Sequence, residues 1–180
     1  TIKDGSTYKR WYMGQDATGS RIFYATSANG LVWTKYDNTV PAASDTTSTN
    51  GRIPFGTAGK GDSAGVANHV VIKDGSTYKM WYGGYNGTNW RIFYATSPDG
   101  LTWTKYNNTI PAVSNTTSTD GRIPLGTDGA GDDYGTYLGS VVKEGNTYKM
   151  WYRGYDSVNV RVFHATSPDG LTWTKYDNTI

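Results

Sequence analysis

Between residues 78 and 106 the chain reads YKMWYGGYNGTNWRIFYATSPDGLTWTKY, and large side chains fall on both phases of a two-residue period. Tyr78, Met80 and Tyr82 share one phase, and Lys79 and Trp81 the other. Phe93 opposes Ile92 and Tyr94; Leu101 and Trp103 oppose Thr104 and Tyr106. No window places apolar residues at three-four spacing over three turns, so strands are expected and helices are not. Turn signals punctuate the alternation. One is Asp74-Gly75; the other is Pro98-Asp99-Gly100, where proline presets φ and glycine takes the left-handed position. The pattern predicts four short strands in two hairpins. A sheet with one wet face alternates cleanly between apolar and polar residues. A sheet with two apolar faces needs a neighbour on each side.

The pattern repeats. IKDGSTYKRWY begins at Ile2, IKDGSTYKMWY at Ile72 and VKEGNTYKMWY at Val142, a gapless period of 70 residues. Trp11, Trp81 and Trp151 correspond, as do Trp33, Trp103 and Trp173. Repeated two-faced sheets predict an all-β chain, a β-propeller of four-stranded antiparallel blades, with a β-sandwich as the competing architecture. The expected organisation is one domain, 1–180, with blades at about 1–40, 65–110 and 135–180 and linkers at about 41–64 and 111–134. The linkers are rich in Ser, Thr, Gly and Asp. Their Ile53-Pro54 and Ile123-Pro124 pairs read as ordered loops rather than tethers.

Composition narrows the class. The 180 residues suit one domain and favour strands, with 7 Trp, 15 Tyr and 23 Gly. A net charge of +2, scattered without Lys/Arg runs, leaves no nucleic-acid footprint. No apolar run reaches membrane length, so no membrane insertion is expected. With no Cys there are no disulfides and no thiolate metal sites.

The stretch KDGSTYKMWYGGYNGTNWRIFYATSPDGLTWTKY resembles blades of the five-bladed propeller superfamily of arabinanase-, fructosidase- and mannoside-phosphorylase-like glycoside hydrolases and their repeat-rich relatives. The resemblance covers about two thirds of the chain and implies a propeller fold. SPDGLTW is also similar to the Asp-box turn of sialidase-like propellers, one residue short, which makes Asp99 and Asp169 turn formers rather than catalysts.

Three blades do not close a ring, because propellers have at least four. The chain opens at Thr1 inside the first inner strand and stops at Ile180 where a linker is due, so it reads as a mature product or a piece of a longer array. At least two blade faces are expected to be open. Burying each large apolar side chain there is worth roughly 1.5–3 kcal/mol, comparable in sum with the cost of association, about 4–15 kcal/mol. The expected partner is a second copy of the chain, a homo-oligomer that completes the ring, with a dimer favoured.

The copies differ mainly at one predicted end. The turns KDGST, KDGST and KEGNT barely change, whereas MGQDATGSR, GGYNGTNWR and RGYDSVNVR diverge, as do GDSAGVANHV and GDDYGTYLGS. Tyr85, Trp90, Arg153, Tyr155, Asn68, His69, Tyr134, Tyr137, Asp62 and Asp132 fall in or beside these segments and form the candidate ligand-binding set. Flat aromatic rings stack on sugar faces, while Asn, Asp and Arg meet hydroxyls. The competing reading is that exposed loops drift and that Tyr and Trp cap blade edges.

Catalysis finds little support at this level. Glycoside hydrolysis needs two carboxylates in unlike environments. Asp62 and Asp132 are copies of one position, and Glu144, the chain's one glutamate, sits in a turn away from the channel mouth. The triad that the resemblance implies therefore does not carry over. Asp128, Asp132 and Asp133 lack calcium-loop spacing, so no metal or other cofactor is expected. His69 and His164 read as packing residues, and the invariant Arg21, Arg91 and Arg161 as structural bonds to a neighbouring loop. The sequence thus leads to a non-catalytic, lectin-like module with repeated weak glycan sites on one rim, hence not an enzyme. The alternatives are a self-assembling propeller scaffold without ligand, engineered or recently amplified, and a fragment of a glycoside-hydrolase-like enzyme. An extracellular or cell-surface setting is expected from the resemblance. There the Asn-x-Thr patterns at Asn86, Asn107 and Asn115 would be glycan acceptors.

Overall fold

A computed structural model describes residues 1–179. The described residues contain strands and turns and no helix. They form three antiparallel sheets, a β-propeller-like arrangement. The first sheet has strands β1 (Ile2–Asp4), β2 (Thr7–Asp16), β3 (Gly19–Ser27) and β4 (Thr34–Lys35) in sequential order. The second has β5 (Thr47–Ser48), β6 (Gly65–Asp74), β7 (Thr77–Tyr85), β8 (Trp90–Ser97) and β9 (Trp103–Lys105), in the order β5-β9-β8-β7-β6. The third repeats this order with β10 (Thr117–Ser118), β11 (Gly135–Glu144), β12 (Thr147–Tyr155), β13 (Val160–Ser167) and β14 (Trp173–Lys175).

The turns form where the sequence predicts them. Gly75 and Gly100 take φ of +60° and +80°, conformations that cost other residues a Cβ clash. Asp99 is a turn former: its Oδ1 accepts the amides of Leu101 and Thr102 at 2.7 and 2.8 Å. Asp169 does the same for Leu171 and Thr172. In place of four strands, the second and third sheets have five. The three-residue β9 would leave its outer edge unpaired, and β5 from the preceding linker covers it, pairing Thr47 with Thr104 and Ser48 with Trp103. β10 covers β14 in the same way.

Each linker then returns between sheets. Ile53 exchanges backbone hydrogen bonds with Ile22 of β3, and Ile123 with Ile92 of β8, all four side chains being fully buried. The sheets pack face to face through the repeated aromatics. Trp11 meets Tyr78 at 5.8 Å and Trp103 edge-on at 5.6 Å, and its Nε1 donates to the Gly100 carbonyl at 3.2 Å. Trp81 repeats these contacts with Tyr148, Trp173 and the Gly170 carbonyl. Lys9 and Lys79 donate to the Tyr78 and Tyr148 hydroxyls of the next sheet. The tryptophans that face a neighbour are therefore the buried ones.

Candidate functional site

The hairpin that joins β7 to β8 ends beside the start of β6, and the β12–β13 hairpin ends beside β11. These ends form one rim, and six of the ten candidate residues gather there. Tyr85 and Trp90 are paired in register, so their rings stack at 5.1 Å and 20°. The Tyr85 hydroxyl donates to the Gly87 carbonyl. The Trp90 ring reaches across the sheet junction to Tyr137, 6.1 Å away. Arg153, the register partner of Tyr137, holds its guanidinium 5.5 Å from that ring. Tyr134 packs edge-on against Tyr155 at 5.5 Å, and its carbonyl accepts the Asn89 side-chain amide at 2.7 Å. An open depression of about 240 Å³ lies among Tyr137, Arg153, Tyr155 and Val160. Tyr134 is 47% exposed and Arg153 is exposed, while Tyr85, Trp90, Tyr137 and Tyr155 are half-buried. Burial raises the Tyr137 hydroxyl above its ordinary pKa, which keeps it a neutral donor.

The other four candidates stand apart. Asn68 is exposed at φ +45° in the β6 bulge, where the pairing with β7 skips from Ala67 to Val70. His69, its half-buried neighbour, has its pKa lowered by burial against an opposing hydrogen bond to the Trp11 backbone. Asp62 and Asp132 are fully buried and do not reach the rim. Asp62 accepts from Lys105 Nζ at 2.7 Å, the Tyr82 hydroxyl at 3.1 Å and Asn108 Nδ2 at 2.9 Å. Asp132 accepts from Lys175, Tyr152 and Asn178 at 2.8, 2.9 and 2.7 Å. Each aspartate ties a linker to the sheet that follows it.

The sequence reading missed these lysines. Lys35, Lys105 and Lys175 recur in the same place, which was the available signal. Burial lowers the Lys105 and Lys175 pKa values, and the facing aspartates oppose the shift. Among the described residues, Arg91 lacks the structural bond expected of it. Arg21 and Arg161 make structural bonds, but to Asp16 and Asp156 of their own hairpins rather than to a neighbouring loop. Asn86 stands at that position in the second sheet, and Arg91 is buried with Nε and Nη1 unpartnered. Among the described residues no three His, Asp or Glu side chains converge as metal ligands.

The three sheets have the fold of the propeller-type glycoside hydrolases, the superfamily whose blades the sequence resembles. Zg3597, a family 117 glycoside hydrolase of Zobellia galactanivorans, superimposes with a TM-score of 0.71 at 18% identity, over 97% of this chain and 53% of that one. A glycosyl hydrolase of Bacteroides ovatus gives 0.65 at 22% identity, over 97% and 46%. A thermostable family-43 glycoside hydrolase gives 0.64 at 15%, over 99% and 53%. In sequence, the chain is 30% identical over 172 residues to an uncharacterized protein of Mycobacterium tuberculosis, known from two strains. The match covers 87% of this chain and 51% of that protein, so the chain spans about half the length of the curated relatives it matches. No protein-family model matches the chain.

Two expectations are corrected by these likenesses. The solved structures that share the fold are glycoside hydrolases, which overturns the reading of a non-catalytic, lectin-like module and the expectation that the chain is not an enzyme. The alternative, part of a glycoside-hydrolase-like enzyme, fits better. The sequence argument failed because it sought a complete catalytic constellation within 180 residues, about half the length of those enzymes.

Proposed function

We propose that the three sheets are blades of a glycoside-hydrolase-like propeller enzyme, and that Tyr85, Trp90, Tyr134, Tyr137, Arg153 and Tyr155 line a substrate subsite on its rim. The observation that carries this reading is the pair of ring clusters at the junction of the second and third sheets, Tyr85–Trp90–Tyr137 and Tyr134–Tyr155, which meet around one depression. Flat rings on either side of one depression suit the apolar faces of sugar units, and Arg153 offers donors to hydroxyls. A hydrolase also needs an acid and a base or nucleophile, roughly 5–9.5 Å apart. Asp156 on this rim is engaged by Arg161 and its own turn amides, and Asp62 and Asp132 by lysines. None of these three aspartates is free to serve as that pair, so the role proposed for the present blades is to position substrate.

The test pairs binding with turnover. Linear oligosaccharides are titrated into the chain by calorimetry, and matching aryl glycosides are assayed with the mycobacterial relative, about twice as long. Expected are oligosaccharide binding that Trp90→Ala weakens about tenfold, consistent with the energy of aromatic contacts, and aryl glycoside hydrolysis by the relative. Absence of binding at millimolar sugar together with absence of turnover overturns the reading.

Completion of the ring is part of the same proposal. The third sheet presents Trp151, Val160 and Val162 to solvent at positions where the second sheet buries Trp81 and Ile92 against a neighbour. A second copy presenting its first sheet is the proposed cover.

A further inference from the structure

The first sheet contains the same aspartate-binding residues as the other two, but no counterpart of the linker aspartates Asp62 and Asp132. Tyr12, Lys35 and Asn38 correspond to Tyr82, Lys105 and Asn108, which surround Asp62, and to Tyr152, Lys175 and Asn178, which surround Asp132. In the filled sites each lysine is 4% exposed and each asparagine is buried. In the first sheet Lys35 and Asn38 are exposed, with no carboxylate beside Lys35 among the described residues. A cavity of about 210 Å³ opens there, lined by Tyr12, Gly14, Phe23, Lys35 and Asn38, and by Asp16, whose carboxylate is held by Arg21 at 2.8 Å. Gly14 marks the same vacancy. A Cβ on Gly84 would stand 2.7 Å from the Asp62 Cβ, and one on Gly154 2.6 Å from that of Asp132; on Gly14 it meets the Phe23 ring alone.

The edge beside this cavity is also unpaired. β6 runs along β7 from Gly65 to Asp74, and β11 along β12 from Gly135 to Glu144, but β1 covers β2 from Thr7 to Lys9 alone. In the second sheet the Ala64 amide donates to the Tyr85 carbonyl, and the Gly61 amide to the Asn108 carbonyl. Gln15 and Asn38 hold the matching carbonyls in the first sheet.

We infer that the cavity of the first sheet is a docking socket for a Gly-Asp-bearing segment that continues as an inner strand, with the aspartate carboxylate seated on Lys35, Tyr12 and Asn38. The occupant is defined by chemistry. Lys35 calls for a carboxylate short enough to be fully enclosed. The phenyl ring at Phe23 calls for glycine before it: a Cβ on Gly61 would stand 2.2 Å from the Phe93 ring, and one on Gly131 2.7 Å from the Phe163 ring. The free edge of β2 calls for a following extended stretch. The chain's own residues 53–70 meet all three demands, and Val71 aligns with Thr1, so that such a segment joins β1 in register. The socket is independent of whether the rim binds sugar.

A synthetic peptide of residues 53–70 is titrated into the 180-residue protein by calorimetry. The same segment is also placed ahead of Thr1 in cis, where effective concentration removes the cost of association. Binding is expected, together with a rise in the thermal midpoint of the fused chain. Peptides with Asp62→Asn or Gly61→Ala should bind at least about tenfold more weakly, because a buried charge then lacks its partner or a ring must move. Lys35→Met in the protein should cost as much, and combining it with the Asp62→Asn peptide should add little. Lys35 is exposed, so that variant folds as the parent does. Equal binding by the Asp62→Asn peptide overturns the socket, as does a fused chain no more stable than the parent.

Discussion

Asp62 and Lys105 form an ion pair with 0% and 1% of their side chains exposed, and such pairs are more informative when broken than when counted. Removing one partner leaves an uncompensated buried charge and costs about 3–5 kcal/mol. Lys105→Met should therefore lower unfolding free energy by about that much in urea titrations. Asp62→Asn in the same background should add far less than it costs alone, because the pair is already broken. Lys35→Met changes the same residue type at the matching position of the first sheet, where no carboxylate faces it, and should stay within about 0.5 kcal/mol of the parent. Additive losses for the pair, or an equal loss at Lys35, would show that the carboxylate is not what holds the lysine. The pair was illegible from the sequence because its members lie 43 residues apart on different elements. The same aspartates next to glycines and before a strand read equally well as channel-lining groups. By contrast, the rim residues were legible because they differ among copies whose framework is constant.

At the scale of elements, the short turns joining the two inner strands of the first and second sheets also clamp sheet to sheet. Asp74, at the end of β6, takes the Tyr148 hydroxyl and Lys143 from the third sheet, with Lys79 nearby at 3.2 Å. Hydrogen bonds from Lys143 and then Tyr148 hold its carboxyl well below the usual carboxylate range. A depressed folded pKa contributes stability that is complete above the unfolded value, about 3.9. It is lost as pH falls toward and through the lower folded value. Tyr148 runs the other way: burial, then Asp74, pushes its hydroxyl up to about 12, so its contribution is intact below about 10 and lost only as pH rises through about 12. Stability should be level between roughly pH 7 and 9, ease below about 6.5 as the half-buried histidines resist protonation, and decline further below about 4. Asp74→Asn should flatten that acid limb in urea titrations at stepped pH, and an unchanged limb would remove Asp74 as its cause. These hairpins were readable because Asp-Gly chemistry is local. β5 and β10 were not, because a Thr-Thr-Ser run carries no alternation, and only the unpaired edge of a strand more than fifty residues later gives it a place.

At the scale of the molecule, the question is what covers the outer face of the third sheet. Trp151 is 38% exposed, Val160 59% and Val162 70%, whereas Trp81 and Ile92 are 0%. Covering three such side chains is worth roughly 1.5–3 kcal/mol each, within the range of about 4–15 kcal/mol that association costs. The remaining contacts decide the partner. Trp11 and Trp81 each donate to a glycine carbonyl of the next sheet, and Gly30 on the first sheet of a second copy offers that acceptor to Trp151. Lys9 and Lys79 each donate to a tyrosine hydroxyl, and Tyr8 offers one to Lys149. Asp4 pairs with Lys73 and Asp74 with Lys143, and Lys3 stands ready for Glu144. The third sheet of one copy thus matches the first sheet of another by the contacts that already join sheets within the chain. Such a contact is heterologous: it closes a ring of two copies if the rotation allows and otherwise adds copies in a row. Sedimentation at tens of micromolar should give a dimer or larger assembly, and Val162→Lys should return it to a monomer whose thermal midpoint equals that of the parent at dilutions where the parent is also monomeric, because that side chain touches solvent in the monomer. A monomer persisting at roughly 100 µM, or association that survives Val162→Lys, would mean that this face has another cover.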